Sequence, residues 1–278
     1  MNQLLCSHYD EIGLFIDVQA LKNKKIAVVG ASGLIGKYFF GYICYLNIKY
    51  NLNLTITGYC RNTKCLESFV KDNNLSEYKI IKYDVIKDLI DLSDNNFVIM
   101  AASPADPCSY SKFPVETFLT NVMGVKNILD SLKGKKTRMI YLSSGEIYGE
   151  SKMHKPKGVQ ENDYGYLDHM QPRSCYSQGK RAAETLCELY RSEYQADICI
   201  ARLCHVYGPS ITKTSSRADA QFLRNAYNHE CIVMKSSGQQ LRSYCYVGDV
   251  CSALLVLMNK VDNGTVCNVS NEKSVITI

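Results

Sequence analysis

The chain has 278 residues, 46% of them apolar, enough to bury one large core and too few for two full α/β domains. Its net charge of +5 is spread along the sequence rather than gathered in basic runs, which argues against a nucleic-acid interface and suits an anionic small molecule. The 13 cysteines are an odd count, no signal-peptide pattern precedes them, no C-x-x-C pair occurs, and Cys60 and Cys65 have no second pair to complete a zinc site. Reduced thiols in a cytoplasmic protein without a metal are therefore expected. The longest apolar stretches, such as Phe97 to Ala102, are strand-sized and well below the ~20 residues of a membrane helix, so no membrane span is expected.

Residues 1–24 read as an arm, with a short amphipathic helix around Ile12 to Leu21. From Lys25 the pattern changes: Ile26 to Val29 form an apolar run, Gly30 breaks it, and helical spacing follows from Leu34 to Leu46. Further strand-like runs lie at Leu54 to Thr57, Ile80 to Tyr83, Phe97 to Ala101, Arg138 to Ser143, Ile198 to Leu203 and Val266 to Val269. Helical segments separate most of them, including Val115 to Leu132 and Gln178 to Tyr194. This alternation predicts an α/β fold built on a doubly wound parallel sheet, with ligands beyond the carboxyl ends of the strands. The expected units are residues 25–204, joined by a late strand near 265–270, and a small lobe at 205–278.

Gly30-Ala31-Ser32-Gly33-Leu34-Ile35-Gly36 opens a helix directly after a strand. In a dinucleotide site the first glycine permits the tight turn, the middle one admits a pyrophosphate, and the third lets helix pack on strand. Glycines at strand ends also serve simply as turns. Where NAD enzymes carry an acidic residue after the second strand, this chain reads Gly58-Tyr59-Cys60-Arg61-Asn62. Arg61, with Lys64 nearby, faces a 2′-phosphate or is a solvated loop cation, so NAD and NADP both stay open. Asp84 and Val85, after the third strand, suit the adenine edge, and small Ala101 and Ala102, after the fourth, leave room for a cofactor.

Tyr176 and Lys180 are four residues apart and share a helix face. An ammonium beside a phenol favours the phenolate, which makes Tyr176 a candidate general base whose pKa falls toward working pH. Upstream, Leu142-Ser143-Ser144 ends a strand with hydroxyls that suit a reacting oxygen.

The glycine turn, Asn121 in Thr120-Asn121-Val122-Met123-Gly124, the stretch Ser143 to Gly149 and the Tyr176 to Lys180 pair together resemble the extended short-chain dehydrogenases that modify nucleotide sugars, over residues 25–278. Within that group, Ala102 to Pro107 and Arg173 to Glu184 look most like UDP-glucuronate decarboxylases, and Arg242 to Asp249 matches a segment near the substrate diphosphate. The resemblance implies a Rossmann-like NAD(P)-dependent enzyme acting on a nucleotide sugar, with Ser144, Glu146, Tyr176 and Lys180 as catalytic residues. It implies that Ser103, Arg173, His205 and Arg242 bind substrate, and that Tyr176 and Lys180 also hold the nicotinamide ribose. A homodimer through a four-helix bundle of the segments Val115–Leu132 and Gln178–Tyr194 is a further implication.

Several features discriminate within the group. The related 4,6-dehydratases place an aspartic acid before the glutamate to protonate a departing hydroxyl, and this chain has Gly145 there. Simple 4-epimerases have no use for Glu146. C4 oxidation followed by decarboxylation is therefore the leading expectation, with 4,6-dehydration or 4-epimerisation as alternatives and a non-catalytic dinucleotide-binding protein as a reading of another class. Departures from the decarboxylase pattern are Ser144-Gly145-Glu146 in place of Thr-Ser-Glu, His205 in place of an asparagine, and the missing acidic residue. Relatives continue past Asn268-Val269-Ser270-Asn271 with a further substrate lobe, so the lobe here is expected to be partial.

Overall fold

The computed structural model describes residues 2–150, 158–212, 215–234 and 236–277. The chain begins with α1 (Gln3–Asp10), followed by β1 (Lys25–Val29), α2 (Leu34–Tyr50), β2 (Thr55–Cys60), α3 (Thr63–Asp72) and β3 (Tyr78–Lys82). Next come β4 (Phe97–Met100), α4 (Pro107–Lys112), α5 (Pro114–Ser131), β5 (Arg138–Ser144), α6 (Ser174–Tyr194) and β6 (Asp197–Leu203). The remainder forms β7 (His205–Tyr207), α7 (Ala218–Tyr227), β8 (Leu241–Tyr246), α8 (Val247–Asn259), β9 (Val266–Val269) and β10 (Val275–Thr277).

Seven strands form one parallel sheet in the order β3-β2-β1-β4-β5-β6-β9. Each strand-like run read from the sequence contributes one of them. The order reverses between β1 and β4, which opens a crevice at their carboxyl ends. Because both faces of the sheet are covered, central strands read as continuous apolar runs, and Ile26 to Val29 are all buried. Their side chains alternate between two cores: Ile26 and Val28 face the α1, α2 and α8 layer, while Ala27 and Val29 face α5 and α6. Pro107 and Pro114 start α4 and α5, where a missing amide proton costs nothing.

The helix expected at Ile12 to Leu21 does not form. Asn2 caps α1 one segment earlier, Gly13 interrupts the pattern, and Asp17 caps a separate 3-10 turn at Val18–Leu21. The arm nevertheless joins the core, because Leu5, Tyr9, Ile12, Ile16 and Leu21 are buried and the Tyr9 ring meets Tyr38 of α2 at 5.1 Å. A second, three-stranded sheet, β10-β8-β7, packs on α8. Among the described residues, no helix is long and apolar enough to cross a membrane.

Candidate active site

The glycine turn joins β1 to α2 at the crevice. Gly30 has φ of +90°, and a Cβ there would lie 2.5 Å from the Ala102 nitrogen. Ala101 is tied to β1 through its amide, which donates to the Val29 carbonyl at 2.8 Å. A Cβ on Gly36 would lie 2.3 Å from the Gly30 carbonyl, so helix and strand meet through bare backbone. Gly33 is different: a Cβ there would meet only the Gly30 carbonyl, at 3.4 Å. Packing demands glycine at the two ends of the motif and not in its middle. Gly33 is also the α2 N-cap without a side-chain cap, and Ser32, Leu34 and Ile35 border it with partial exposure. Exposed amides at the positive end of a 17-residue helix fit a dinucleotide diphosphate.

Across the crevice, α6 lays Tyr176 and Lys180 against the end of β5. Both are buried, with exposures of 9% and 3%. The Lys180 ammonium donates to the Leu142 carbonyl at 2.6 Å and lies 4.8 Å from the Tyr141 ring centre and 5.8 Å from that of Tyr176. Tyr176 stacks on Tyr110 of α4, with centroids 5.4 Å apart and planes 21° from parallel. Arg173 closes this group by donating to the Tyr110 hydroxyl at 3.2 Å.

Burial pushes the Tyr176 phenol up to about 12, a shift that the Ser144 hydroxyl opposes and that Glu146 and Tyr110 reinforce. Burial also pushes the Lys180 ammonium down to about 7, against the pull of Glu184. The expectation that the lysine lowers the phenol is thus corrected: desolvation outweighs their attraction, since each group loses water and the ammonium donates to a carbonyl instead.

Ser144 accepts a hydrogen bond from the Glu146 amide at 3.2 Å and starts a 3-10 turn over Gly145–Tyr148, which leaves Glu146 exposed. Arg181 steadies this turn by donating to the Ile147 carbonyl at 2.6 Å and to the Gly165 carbonyl at 2.7 Å. Ser103 donates to the buried Asn121 amide oxygen at 2.8 Å, and Asn121 in turn donates to the Thr117 carbonyl at 2.9 Å.

The other predicted cofactor residues line the β2 and β3 end. Arg61 is exposed and paired with Glu116 of α5 at 2.7 Å. Asp84 accepts from the Ile86 amide at 3.0 Å, and Val85 is buried, its carbonyl accepting from Asn127 at 3.0 Å.

His205 and Arg242 come together on the small sheet. The His205 ring packs on Tyr244 at 5.9 Å, and burial, with Arg242 and Arg217 beside it, lowers its pKa to about 4. Arg242 donates to the Gln240 side chain at 2.6 Å. Arg217 was not anticipated. Asp106 anchors its segment by accepting from the Ser216 amide and hydroxyl, both at 2.8 Å, and Arg217 pairs with Asp219 at 3.4 Å while favouring the charged form of Tyr176. The sequence held no signal for it, because a lone arginine in a loop has no spacing to read. Tyr110 escaped notice because it meets Tyr176 only through the fold, from a distant helix.

Residues 26–270 match the NAD dependent epimerase/dehydratase family. UDP-glucuronic acid decarboxylase 3 of Arabidopsis thaliana is 31% identical over 249 residues, which cover 90% of this chain and 70% of that protein. UDP-glucuronic acid decarboxylase 1 of Xenopus tropicalis is 29% identical, and the match covers 85% of this chain and 54% of that protein. The fold is shared with a UDP-glucuronic acid 4-epimerase from Bacillus cereus at a TM-score of 0.76 and 23% identity, over 91% of this chain and 79% of that one. It is also shared with a dTDP-glucose 4,6-dehydratase from Bacillus anthracis at a TM-score of 0.71 and 20% identity, over 90% and 76%. With a doubly wound sheet, a glycine turn at the start of α2 and a tyrosine–lysine pair on α6, the chain belongs to the NAD dependent epimerase/dehydratase family and is an NAD-dependent enzyme of the extended short-chain dehydrogenase type.

Proposed function

We propose that this enzyme oxidises the C4 hydroxyl of a nucleotide-activated sugar and that a uronic sugar then loses its carboxyl group as carbon dioxide. The observation that carries the reading is Ser144 and Tyr176 side by side with Lys180 at the strand end facing the glycine turn, while Gly145 offers no acid. Support comes from relatives named as UDP-glucuronic acid decarboxylases at about 30% identity.

The glycine turn holds the diphosphate of NAD, Asp84 and Val85 border the adenine side, and Ala101 and Ala102 border the nicotinamide half. When bound, the nicotinamide supplies a hydride acceptor that later returns the hydride. Tyr176 takes the proton of the C4 hydroxyl, and Ser144 holds that oxygen in line. Tyr176 reacts as its phenolate, whose charge Lys180 supports until the proton arrives, and Lys180 also binds the ribose. A carboxylate at C5 lies β to a C4 ketone, so the C5–C6 bond breaks with its electrons delocalised onto O4, and no proton donor at position 145 is needed. A proton from water is taken up at C5, and Tyr176 returns its own proton to O4 as the hydride comes back to C4. Glu146, exposed at the turn, faces the sugar side. His205, Arg242, Arg217, Arg173 and Ser103 bind the diphosphate and sugar.

Arg61 sits in an exposed ion pair of the kind worth roughly 0–1 kcal/mol, so it can be surrendered to a 2′-phosphate, and titrations with NAD and NADP compare the two. On the outer face of α5, Val115, Phe118, Leu119 and Met123 are exposed at helical spacing, which suits a second copy of the chain in a four-helix bundle with α6. Sedimentation of the parent as a dimer and of Leu119→Glu as a monomer tests this. The odd count of 13 cysteines, without a disulfide framework in the sequence pattern, suits a cytoplasmic setting.

The reaction is tested by incubating the protein with NAD and a panel of nucleotide sugars, following reduced nicotinamide by absorbance and products by mass. A pentose product from UDP-glucuronate is expected. An epimer or a dehydrated sugar would replace decarboxylation with the corresponding alternative, and no turnover of any sugar would leave a dinucleotide-binding protein.

A further inference from the structure

Behind the tyrosine–lysine pair lies a buried charge pair that the proposed reaction does not use. Glu184 follows Lys180 by one helical turn, on the same face of α6. Arg202 of β6 grips it from Nε at 3.1 and 3.2 Å and from Nη2 at 2.7 Å, and both side chains are nearly buried, at 9% and 12% exposure. Ser143 donates to the same carboxylate at 2.5 Å. The remaining guanidinium nitrogen donates to the Tyr148 hydroxyl at 2.9 Å and the Glu161 carbonyl at 2.6 Å, and Tyr148 donates onward to Asn268 at 2.7 Å.

These contacts repeat one pattern. Leu142, Ser143 and Ser144 are consecutive in β5 and meet, respectively, Lys180, Glu184 and Tyr176 of α6. The strand end is therefore registered on the helix by a polar ladder, with the glutamate as its fixed rung. We propose that Glu184 is a positioning residue of the active site, held by Arg202 and Ser143 so that it sustains the charge of Lys180 and keeps the serine end of β5 aligned with Tyr176. The inference rests on the proposed reading of Tyr176 and Lys180 as the reacting pair.

Electrostatics supports it. The groups that face Lys180 are the Tyr141 ring and Leu142 carbonyl from β5, and Tyr176, Glu184 and Cys187 from α6; Arg202 of β6 stands behind Glu184. Cys187 is a buried thiol held far above its ordinary range and so is neutral. Glu184 is the anion that opposes the desolvation of Lys180.

The test is a titration of Lys180, followed by 13Cε NMR of labelled lysine and assigned by the signal lost in Lys180→Arg. In Glu184→Gln the midpoint is expected to fall by about one pH unit, the effect of removing an opposite charge at close range, and Glu184→Asp is expected to retain most of the parent value. Because Glu184→Gln strands a buried guanidinium and can unfold the protein, the double variant Glu184→Gln/Arg202→Gln removes both charges. A lowered midpoint in a folded single or double variant supports the proposal, and a parental midpoint in either, with a native circular dichroism spectrum, overturns it. No sugar or turnover enters this measurement. Inactivity on every nucleotide sugar would sink the proposed reaction alone, whereas a titration indifferent to residue 184 in an active enzyme would sink only this inference.

Discussion

The Lys180 ammonium is held by the Leu142 carbonyl at 2.6 Å, two residues before Ser144, so the lysine reads the backbone of the same strand that carries the serine. Its burial has a thermodynamic consequence. With a folded midpoint lowered to about 7 from 10.5, the unfolded chain binds more protons than the native one between those values. Stability from this group therefore rises with pH across that window and is lost below it, at about 1.4 kcal/mol per pH unit at most. Lys180→Met is expected to flatten the rise, to be more stable than the parent at pH 6 to 7 and to lose turnover. Urea unfolding of both proteins between pH 6 and 8.5 checks this; parallel curves would contradict the buried ammonium.

Tyr176→Phe removes one hydroxyl and leaves the stack on Tyr110 in place. Fold and NAD affinity are expected to be preserved, while turnover drops by about 10²–10⁴-fold, the usual contribution of a general base. Calorimetric binding of NAD beside a product assay separates the two quantities. A variant that still turns over at the parental rate would remove Tyr176 from the chemistry.

His205 gives a sign in the acidic range. Its folded pKa is lowered to about 4 from 6.5 by burial and by Arg242 and Arg217, so the unfolded chain takes up a proton in that window that the native protein refuses. Stability rises with pH from about 4 to 6.5 and is fully present above. His205→Asn is expected to reduce that slope by less than about 1.4 kcal/mol per pH unit, since the ring is partly open to solvent. Denaturant midpoints at pH 4.5, 5.5 and 6.5 measure it, and an unchanged slope would mean that the ring is charged in the native state.

The sheet was legible because parallel strands buried on both faces leave runs such as Ile26 to Val29 and Phe97 to Met100 that no other element explains. The reacting pair was legible because helical periodicity converts the spacing of Tyr176 and Lys180 into one face. What escaped depends on tertiary desolvation or on partners distant in sequence. The rise of the Tyr176 pKa is set by how deeply α6 buries it, which spacing does not encode. Arg217 reaches the site only through the Asp106 anchor 110 residues before Ser216. The arm was misplaced by a segment because its helix holds only 8 residues and is stabilised by Tyr9 packing on α2 rather than by its own pattern.

Two glycines of one turn make opposite predictions. At Gly30 an alanine would force a left-handed backbone and push its methyl to within 2.5 Å of the Ala102 nitrogen, so Gly30→Ala is expected to destabilise the fold by several kcal/mol or prevent folding. At Gly33 the backbone is extended, with φ of −74°, and the added methyl would meet only one carbonyl at ordinary distance. Gly33→Ala is therefore expected to fold with stability within about 1 kcal/mol of the parent. The methyl would stand instead where the diphosphate approaches the α2 amides, and NAD affinity should fall by at least about tenfold, the equivalent of ~1.4 kcal/mol. Thermal unfolding with and without NAD reads both outcomes in one experiment. A Gly33→Ala protein that melts like the parent and is still stabilised equally by NAD would show that the middle glycine serves the turn alone, and the diphosphate would then have to be sought elsewhere along the crevice.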